Sequence, residues 1–323
     1  MIKGLPVALG MLLLVLDSKT ALLGAKEGVM LCLSSVIPAL LPFWVLSSLL
    51  SAALWGRSGS PFRFLGRLFS LPKGAESILI PAFLGGYPAG AGCIGKAYRE
   101  GKLERGQASR LLGYCSNVGP AFLFGITAPQ FSSPWAGVYL WLLQILGAWV
   151  CSRLLPGKRE AQAQMGKKQP EDTLADAAEA MGKICISVIL FRTLLAFLNP
   201  LLEGNALLHC LVSGIFELTN GCCMLSQVAE RLRLPLAAGL MSFGGLCVFL
   251  QTASVAKGLD LRYYALGRCI SCGVCLAGAV CPWSLPVILG IPVLKKWVAF
   301  FRKAVYNGRN KERRRTLCFS ERK

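Results

Sequence analysis

Apolar residues run along this chain in blocks of bilayer length, separated by short polar or basic connectors. A helix crosses a hydrocarbon core with roughly 20 apolar residues. Gly28 to Leu54, Trp135 to Leu155, Ile184 to Leu202 and a long stretch from about Arg268 to Leu294 meet that length and predict plain membrane helices. Four further blocks are apolar but interrupted. Ser77 to Ile94 contains Gly85, Gly86, Pro88, Gly90 and Gly92, and Leu111 to Ala128 contains Asn117, Gly119 and Pro120. Ala206 to Val228 carries Glu217, Asn220 and Gly221, and Leu236 to Val255 carries Gly244, Gly245 and Gln251. Glycine and proline free backbone groups, and a polar side chain at mid-depth is costly in lipid. These four blocks must therefore be satisfied by protein or by water in a cavity.

The blocks repeat in order. Glu27 to Phe43 lines up with Glu179 to Leu195, and Ser35, Val36 and Ile37 match Ser187, Val188 and Ile189. Phe83 to Gly90 falls opposite Phe216 to Gly221, and Tyr114 to Leu123 opposite Met241 to Leu250. Basic residues orient the copies. Arg57, Arg63, Arg67 and Lys73 precede the first interrupted block, and Lys96, Arg99, Lys102 and Arg105 follow it. Both flanks are then cytoplasmic, and the block dips in and returns. Ala128 to Pro134 is uncharged and Asn199 to Asn205 carries only Glu203, so both are expected outside, whereas the basic run from Arg153 to Lys168 is expected inside. The fold expected is all-α: a polytopic helical membrane protein with two inverted repeats and broken or re-entrant helical hairpins. Its parts are a short membrane helix over 1–24, a first repeat over 25–155, a basic cytoplasmic linker over 156–178, a second repeat over 179–294 and a basic tail over 295–323. Seven or eight crossings fit this division, because Pro282, Pro286 and Pro292 are able to split the last stretch.

Composition narrows the classes. With 54% hydrophobic residues, 16% charged and a mean hydropathy of +0.55, no stretch is left for a separate soluble domain. A net charge of +19 would suggest nucleic acid in a soluble protein. Eleven of the 35 basic and two of the 16 acidic residues lie at or beyond Lys295, so +9 sits on the tail and +10 on the rest. That distribution orients helices and suits a leaflet of anionic lipid instead. The 14 cysteines are scattered through apolar blocks and read as small buried hydrophobes. Gly4 to Leu16 after Lys3 resembles a signal peptide, but no A-x-A site follows before the next span, so a retained first helix is expected.

Chemistry-bearing residues fall in the interrupted blocks. Gly85-Gly86-Tyr87-Pro88-Ala89-Gly90-Ala91-Gly92 permits tight turns, and a half-helix starting there would aim amide N–H groups at an anion. The alternative is a glycine-rich helix contact or kink. Asn117 with Gly119-Pro120 offers an amide and freed carbonyls, or a kinked helix whose Asn bonds a neighbour. Glu217, beside Thr219 and Asn220, is the candidate for ion or proton coupling, with Arg192 as its alternative structural partner. Gln251 serves either the site or helix packing. The spacing Cys269-x2-Cys272-x2-Cys275-x5-Cys281 is superficially that of iron–sulfur ligands, but it lies in an apolar helix, whereas such ligands usually come from loops. His209 is the only histidine, and no triad, Walker loop or carboxylate pair occurs. Neither an enzyme, a cofactor nor a metal is expected.

The strings Ala25-Lys26-Glu27-Gly28, Ile37-Pro38-Ala39-Leu40-Leu41-Pro42-Phe43, Gly86-Tyr87-Pro88-Ala89-Gly90-Ala91 and Ser116-Asn117 with Gly119-Pro120 resemble the YlbJ-type sporulation integral membrane proteins. Phe216-Glu217, Gly244-Gly245-Leu246 and Gln251 continue the match. The chain departs from that pattern at Ser116, Val118, Cys247 and Phe249. The resemblance implies a nucleoside-recognition (Gate) domain, an architecture similar to concentrative nucleoside transporters, and a bacterial inner or forespore membrane. It also implies passage of a small solute, anionic such as dipicolinate or nucleoside-like, and the interrupted blocks place Gly86, Tyr87, Pro88, Gly90, Asn117, Gly119, Glu217, Thr219, Asn220 and Gln251 around the expected site. A non-transporting scaffold for the spore envelope is the alternative. The partners expected are the solute and anionic lipid at the tail, with no nucleic acid; a homo-oligomer is compatible with either reading.

Overall fold

The computed structural model describes residues 5–55, 63–156 and 173–281. The basic tail, most of the 156–178 linker and the end of the Arg268 to Leu294 stretch lie outside the described residues. Within them the protein is all helix, with no strand. Helix α1 (Leu5–Leu16) is followed by α2 (Ser18–Leu31), which opens where Asp17 Oδ1 accepts the Thr20 N–H at 3.0 Å. A widened turn over Cys32–Val36, just before Pro38, joins α2 to α3 (Ile37–Leu54) in one 37-residue rod. At 1.5 Å per residue that rod is about 55 Å long, more than a roughly 30 Å core requires.

After α4 (Arg63–Leu68) come an apolar arm (Glu76–Gly85), α5 (Ala89–Arg99), α6 (Arg105–Leu112), a short α7 (Pro120–Phe122) and α8 (Trp135–Leu154). The second half holds α9 (Thr173–Leu202), α10 (Ala206–Phe216), α11 (Leu218–Cys223), α12 (Glu230–Phe243), α13 (Gly245–Val255) and α14 (Leu261–Val280). Five stretches are long and apolar enough to cross a bilayer: Ser18–Leu54, Trp135–Leu154, Ala177–Leu202, Glu230–Val255 and Leu261–Val280. Large apolar side chains such as Leu46, Ile186 and Leu201 stand on the outer surface, as lipid-facing residues do. The protein is a multi-pass membrane protein. One boundary differs from the sequence expectation. The last described span begins at Leu261, because Asp260 Oδ1 caps it by accepting the Arg262 N–H at 3.0 Å. Arg268 is thereby carried two turns into the helix.

Polar contacts sort the connections into two ends. At the first, Arg110 donates to Ser70 O (3.1 Å), Leu155 O (3.3 Å) and Ser152 O. Arg153 donates to Leu68 O at 2.9 Å, and the Asp260 N–H to Ser109 Oγ at 2.9 Å. Both flanks of the arm–α5 unit, the end of α8 and the α13–α14 connector therefore meet at this basic end. The arm and α5 leave it and return to it. At the other end Arg233 gathers Val228 O (2.8 Å), Ser226 O (2.8 Å) and Gln130 O (3.3 Å). His209 Nε2 bonds Asn199 Oδ1 there at 3.1 Å, while Tyr139 OH donates to Gly278 O at 2.9 Å. Helices α10 and α11 form a hairpin from that end, packed so closely that a Cβ on Gly221 would stand 2.3 Å from Gly214 Cα.

Small residues let these pieces approach, since packing in lipid relies on close backbone contact rather than on hydrophobic drive. A Cβ on Gly90 of α5 would lie 2.0 Å from Cys115 O, and one on Gly267 of α14 would lie 2.0 Å from Gly113 O. Nothing stands within 4 Å of a Cβ on Gly273 of the same α14. Gly90→Ala and Gly267→Ala are expected to abolish the monodisperse peak in detergent size exclusion, whereas Gly273→Ala keeps it. Equal behaviour of the three variants would contradict this packing.

Candidate functional site

Each interrupted block breaks its helix at the residues that interrupt it. The arm ends at Gly86, whose φ of +76° no side chain adopts readily, and α5 starts after a cis Tyr87–Pro88 bond. The second break spans residues 113–119, between α6 and α7, where Asn117 Nδ2 donates to Tyr114 O at 2.8 Å. The third is Glu217 itself, extended at φ −142° and ψ 114°, between α10 and α11. Its carboxylate accepts the N–H groups of Thr219 (3.0 Å) and Asn220 (2.7 Å), which α11 leaves without helical partners. The fourth is Gly244-Gly245, both at positive φ, between α12 and α13.

The breaks converge. A Cβ on Gly86 would stand 3.0 Å from Gly119 N, so the first two breaks touch backbone to backbone. A Cβ on Gly245 would stand 2.8 Å from Gly214 O, one turn before Glu217, and one on Gly244 would meet the Tyr87 ring at 3.5 Å. A cavity of about 40 Å³ lies where they meet. Tyr87, Gly119, Glu217, Thr219 and Gln251 line it beside Val36, Leu40, Ile184 and Val188. At 10–15 Å³ per water, it holds about three waters or a small ion.

Of the ten residues singled out by sequence, those five face the cavity. Gly86 backs it against Gly119. Pro88 sits at the start of α5, Gly90 is consumed by packing on Cys115, and Asn117 turns toward Arg268. Asn220 gives its backbone N–H to Glu217 while its buried Nδ2 has no partner among the described residues. Gln251 Nε2 reaches Cys247 Sγ at 3.2 Å. The alternative partner for Glu217 is not what the structure holds: Arg192 Nη2 pairs with Glu27 Oε2 at 2.7 Å, because α2 packs along α9. Glu217 is 3% exposed and makes its hydrogen bonds to backbone amides. Cys269 is exposed, Cys272 half-buried and Cys275 buried along α14, and among the described residues no three His, Cys, Asp or Glu side chains are placed to share a metal ion.

The residue that sequence reading missed is Arg268. It is 2% exposed and makes no ion pair with a described residue. Nη1 donates to Tyr87 OH (2.5 Å) and Ser242 O (3.4 Å), and Nη2 to Gly113 O (3.1 Å) and Asn117 Oδ1 (3.4 Å). The guanidinium also stands over the rings of Tyr87 and Tyr264. Three of the four breaks thus bond to one cation. Gly113 and Ser242 are carbonyls released by the breaks, and Tyr87 OH takes up a third by donating to Met241 O at 3.2 Å. An arginine inside an apolar block was the available signal. Hydropathy alone hides it, because the uninterrupted apolar run starts at that residue.

The chain is similar to the sporulation integral membrane protein YlbJ of Bacillus subtilis (strain 168), with 24% identity over 74% of this chain and 71% of the relative. No family model matches the chain. No solved structure matches it either.

Arg268→Met leaves the Gly113 and Ser242 carbonyls buried without a donor, at about 1–3 kcal/mol each. A lysine, being a point charge on a flexible stem, cannot span the four acceptors that the planar guanidinium reaches. Thermal melting in detergent is expected to fall in the order parent, Arg268→Lys, Arg268→Met. An unchanged midpoint in the methionine variant would remove Arg268 from this role.

Proposed function

We propose that this protein passes a small solute across a membrane of a sporulating bacterium, through a site where four helix breaks meet. The observation that supports it is the shared cavity. Irregular backbone at membrane depth is tolerated where it is buried in protein or lines a polar space, and here Tyr87, Gly119, Glu217 and Gln251 from four separate blocks border one such space. Half-helices starting at Ala89 and Gly245 bring their amide ends to this level, which favours negative charge.

We read the halves as inverted repeats of the Gate type, akin to concentrative nucleoside transporters. Each half is a long helix, a hairpin and a broken helix, and the two hairpins spring from opposite ends. By the excess of Lys and Arg, the end around Arg110 is cytoplasmic. A space for about three waters is too small for a ring-bearing solute, so the arrangement is a closed one, and passage requires a hairpin to withdraw. Dipicolinate and nucleosides are the first ligands to try. Glu217 then has a double part: it caps α11 and supplies an acidic group on the cavity wall.

A scaffold for spore-envelope assembly is the second reading. The observation favouring it is that Glu217 and Arg268 already have internal partners. Glu217→Gln and Asn117→Ala are expected to cut solute accumulation at least tenfold in cells with normal membrane levels of the protein. Full accumulation in both variants, together with normal spores, would discard the permease reading and leave the scaffold.

A further inference from the structure

The basic end carries a second and larger space. A cleft of about 440 Å³ opens between α3, α5, the start of α9 and the end of α13. Five cations border it, Lys96, Arg99, Lys102, Lys183 and Lys257, against two carboxylates, Glu100 and Glu179, for a surplus of +3. Glu100 pairs with Lys102 at 2.6 Å and Glu179 with Lys183. Arg99 is held in place by donating to Val255 O at 3.1 Å. The floor is of different chemistry: Trp44, Ser48, Gly92 and Cys93. A surplus of cations over a small polar and aromatic floor suits a small anion with a carboxylate or phosphate group.

The cleft and the central cavity are stacked on the same helices. On α3, cavity-lining Leu40 is followed one turn later by cleft-lining Trp44. On α13, Gln251 is followed by Ser254, and on α9, which runs the other way, Ala180 precedes Ile184. One helical turn, about 5.4 Å, separates the two spaces. Trp44 is the largest side chain in that layer. It is buried among Leu40, Ala89, Ile184 and Cys247, and a Cβ on Gly92 would stand 3.0 Å from its ring. Both half-helices that begin at the central breaks, α5 and α13, end at the cleft.

We infer that the cleft is the antechamber in which a small free anion is gathered, and that the Trp44 ring closes it from the central cavity. This rests on the permease reading above, and it selects an anion over an uncharged solute. Cys93 lies in the cleft and reports on it. Full-length protein in detergent is treated with an anionic sulfonate and a cationic trimethylammonium methanethiosulfonate, and modification is followed by mass spectrometry of the Cys93 peptide. Relative to a free thiol, the anionic reagent is expected to react about tenfold faster or more, and Lys96→Gln with Lys257→Gln to bring the ratio near one. Inorganic phosphate and succinate slow the reaction in the parent. A parental ratio near one overturns the antechamber. So does protection seen only when phosphatidylglycerol is added to the micelles, which would mark a lipid headgroup site.

The closure is read at Cys247, which is buried in the parent. Trp44→Ala is expected to open Cys247 to the anionic reagent while Cys151 and Cys275 stay protected. If all three react, the variant has unfolded, and Trp44→Leu is read in the same way. A folded variant with Cys247 unreactive overturns the closure. Charge-selective labelling alongside unimpaired accumulation in the Glu217 variant would leave an anion site on a non-transporting protein. Lost accumulation without selectivity would leave the permease and remove its antechamber.

Discussion

A buried guanidinium with no carboxylate partner among the described residues holds the centre of this protein. The two Nη groups of Arg268 donate to two backbone carbonyls, an amide oxygen and a phenol, while its buried Nε has no partner among the described residues. In lipid the alternative for those acceptors is no partner at all, so the cation and the helix breaks stabilise one another. Neither is tenable alone. An arginine at this depth without acceptors is costly, and carbonyls freed at Gly113 and Ser242 without a donor cost about 1–3 kcal/mol each. The five donors of arginine, spread in a plane, explain why a single side chain can tie the first hairpin, the α6–α7 break and the end of α12 together.

Glu217 solves the opposite problem with the opposite charge. It sits before the amides of α11, where two N–H groups lack helical acceptors and a carboxylate is favoured. The two buried ionic groups do not pair with each other. Each answers orphaned backbone groups of the opposite polarity, Glu217 the N–H groups of α11 and Arg268 the carbonyls of Gly113 and Ser242. Glycine makes the meeting possible: at Gly86, Gly119 and Gly245 the backbones are so close that a β-carbon would fall within about 3 Å of a neighbouring main chain. The cavity is what remains once these contacts are made.

The same half-helices give the molecule its electrical layout. Helices α5 and α13 begin at the central breaks with amide N–H groups and end at the basic cleft, where Arg99 donates to the Val255 carbonyl at the end of α13. The intervening layer is apolar, with Trp44 at its middle.

The sequence by itself determined the class of the protein and the positions of its interruptions. Apolar blocks of bilayer length, with Gly86, Pro88, Asn117, Pro120, Glu217 and Gly244 set inside them, carry that information locally: a residue without a Cβ, without an N–H or with a charge breaks a membrane helix wherever the chain folds. Tertiary structure alone decided the partners. Arg192 joins Glu27 rather than Glu217 because α2 lies along α9, and Gly90 is committed to the Cys115 carbonyl rather than to a pocket. Arg268 reaches residues more than 150 positions away as well as one only 26 away. No local pattern encodes which carbonyls will be left without donors at the point where four separate breaks meet. That depends on the close packing of whole helices, and so the residue at the centre of the structure became legible only in three dimensions.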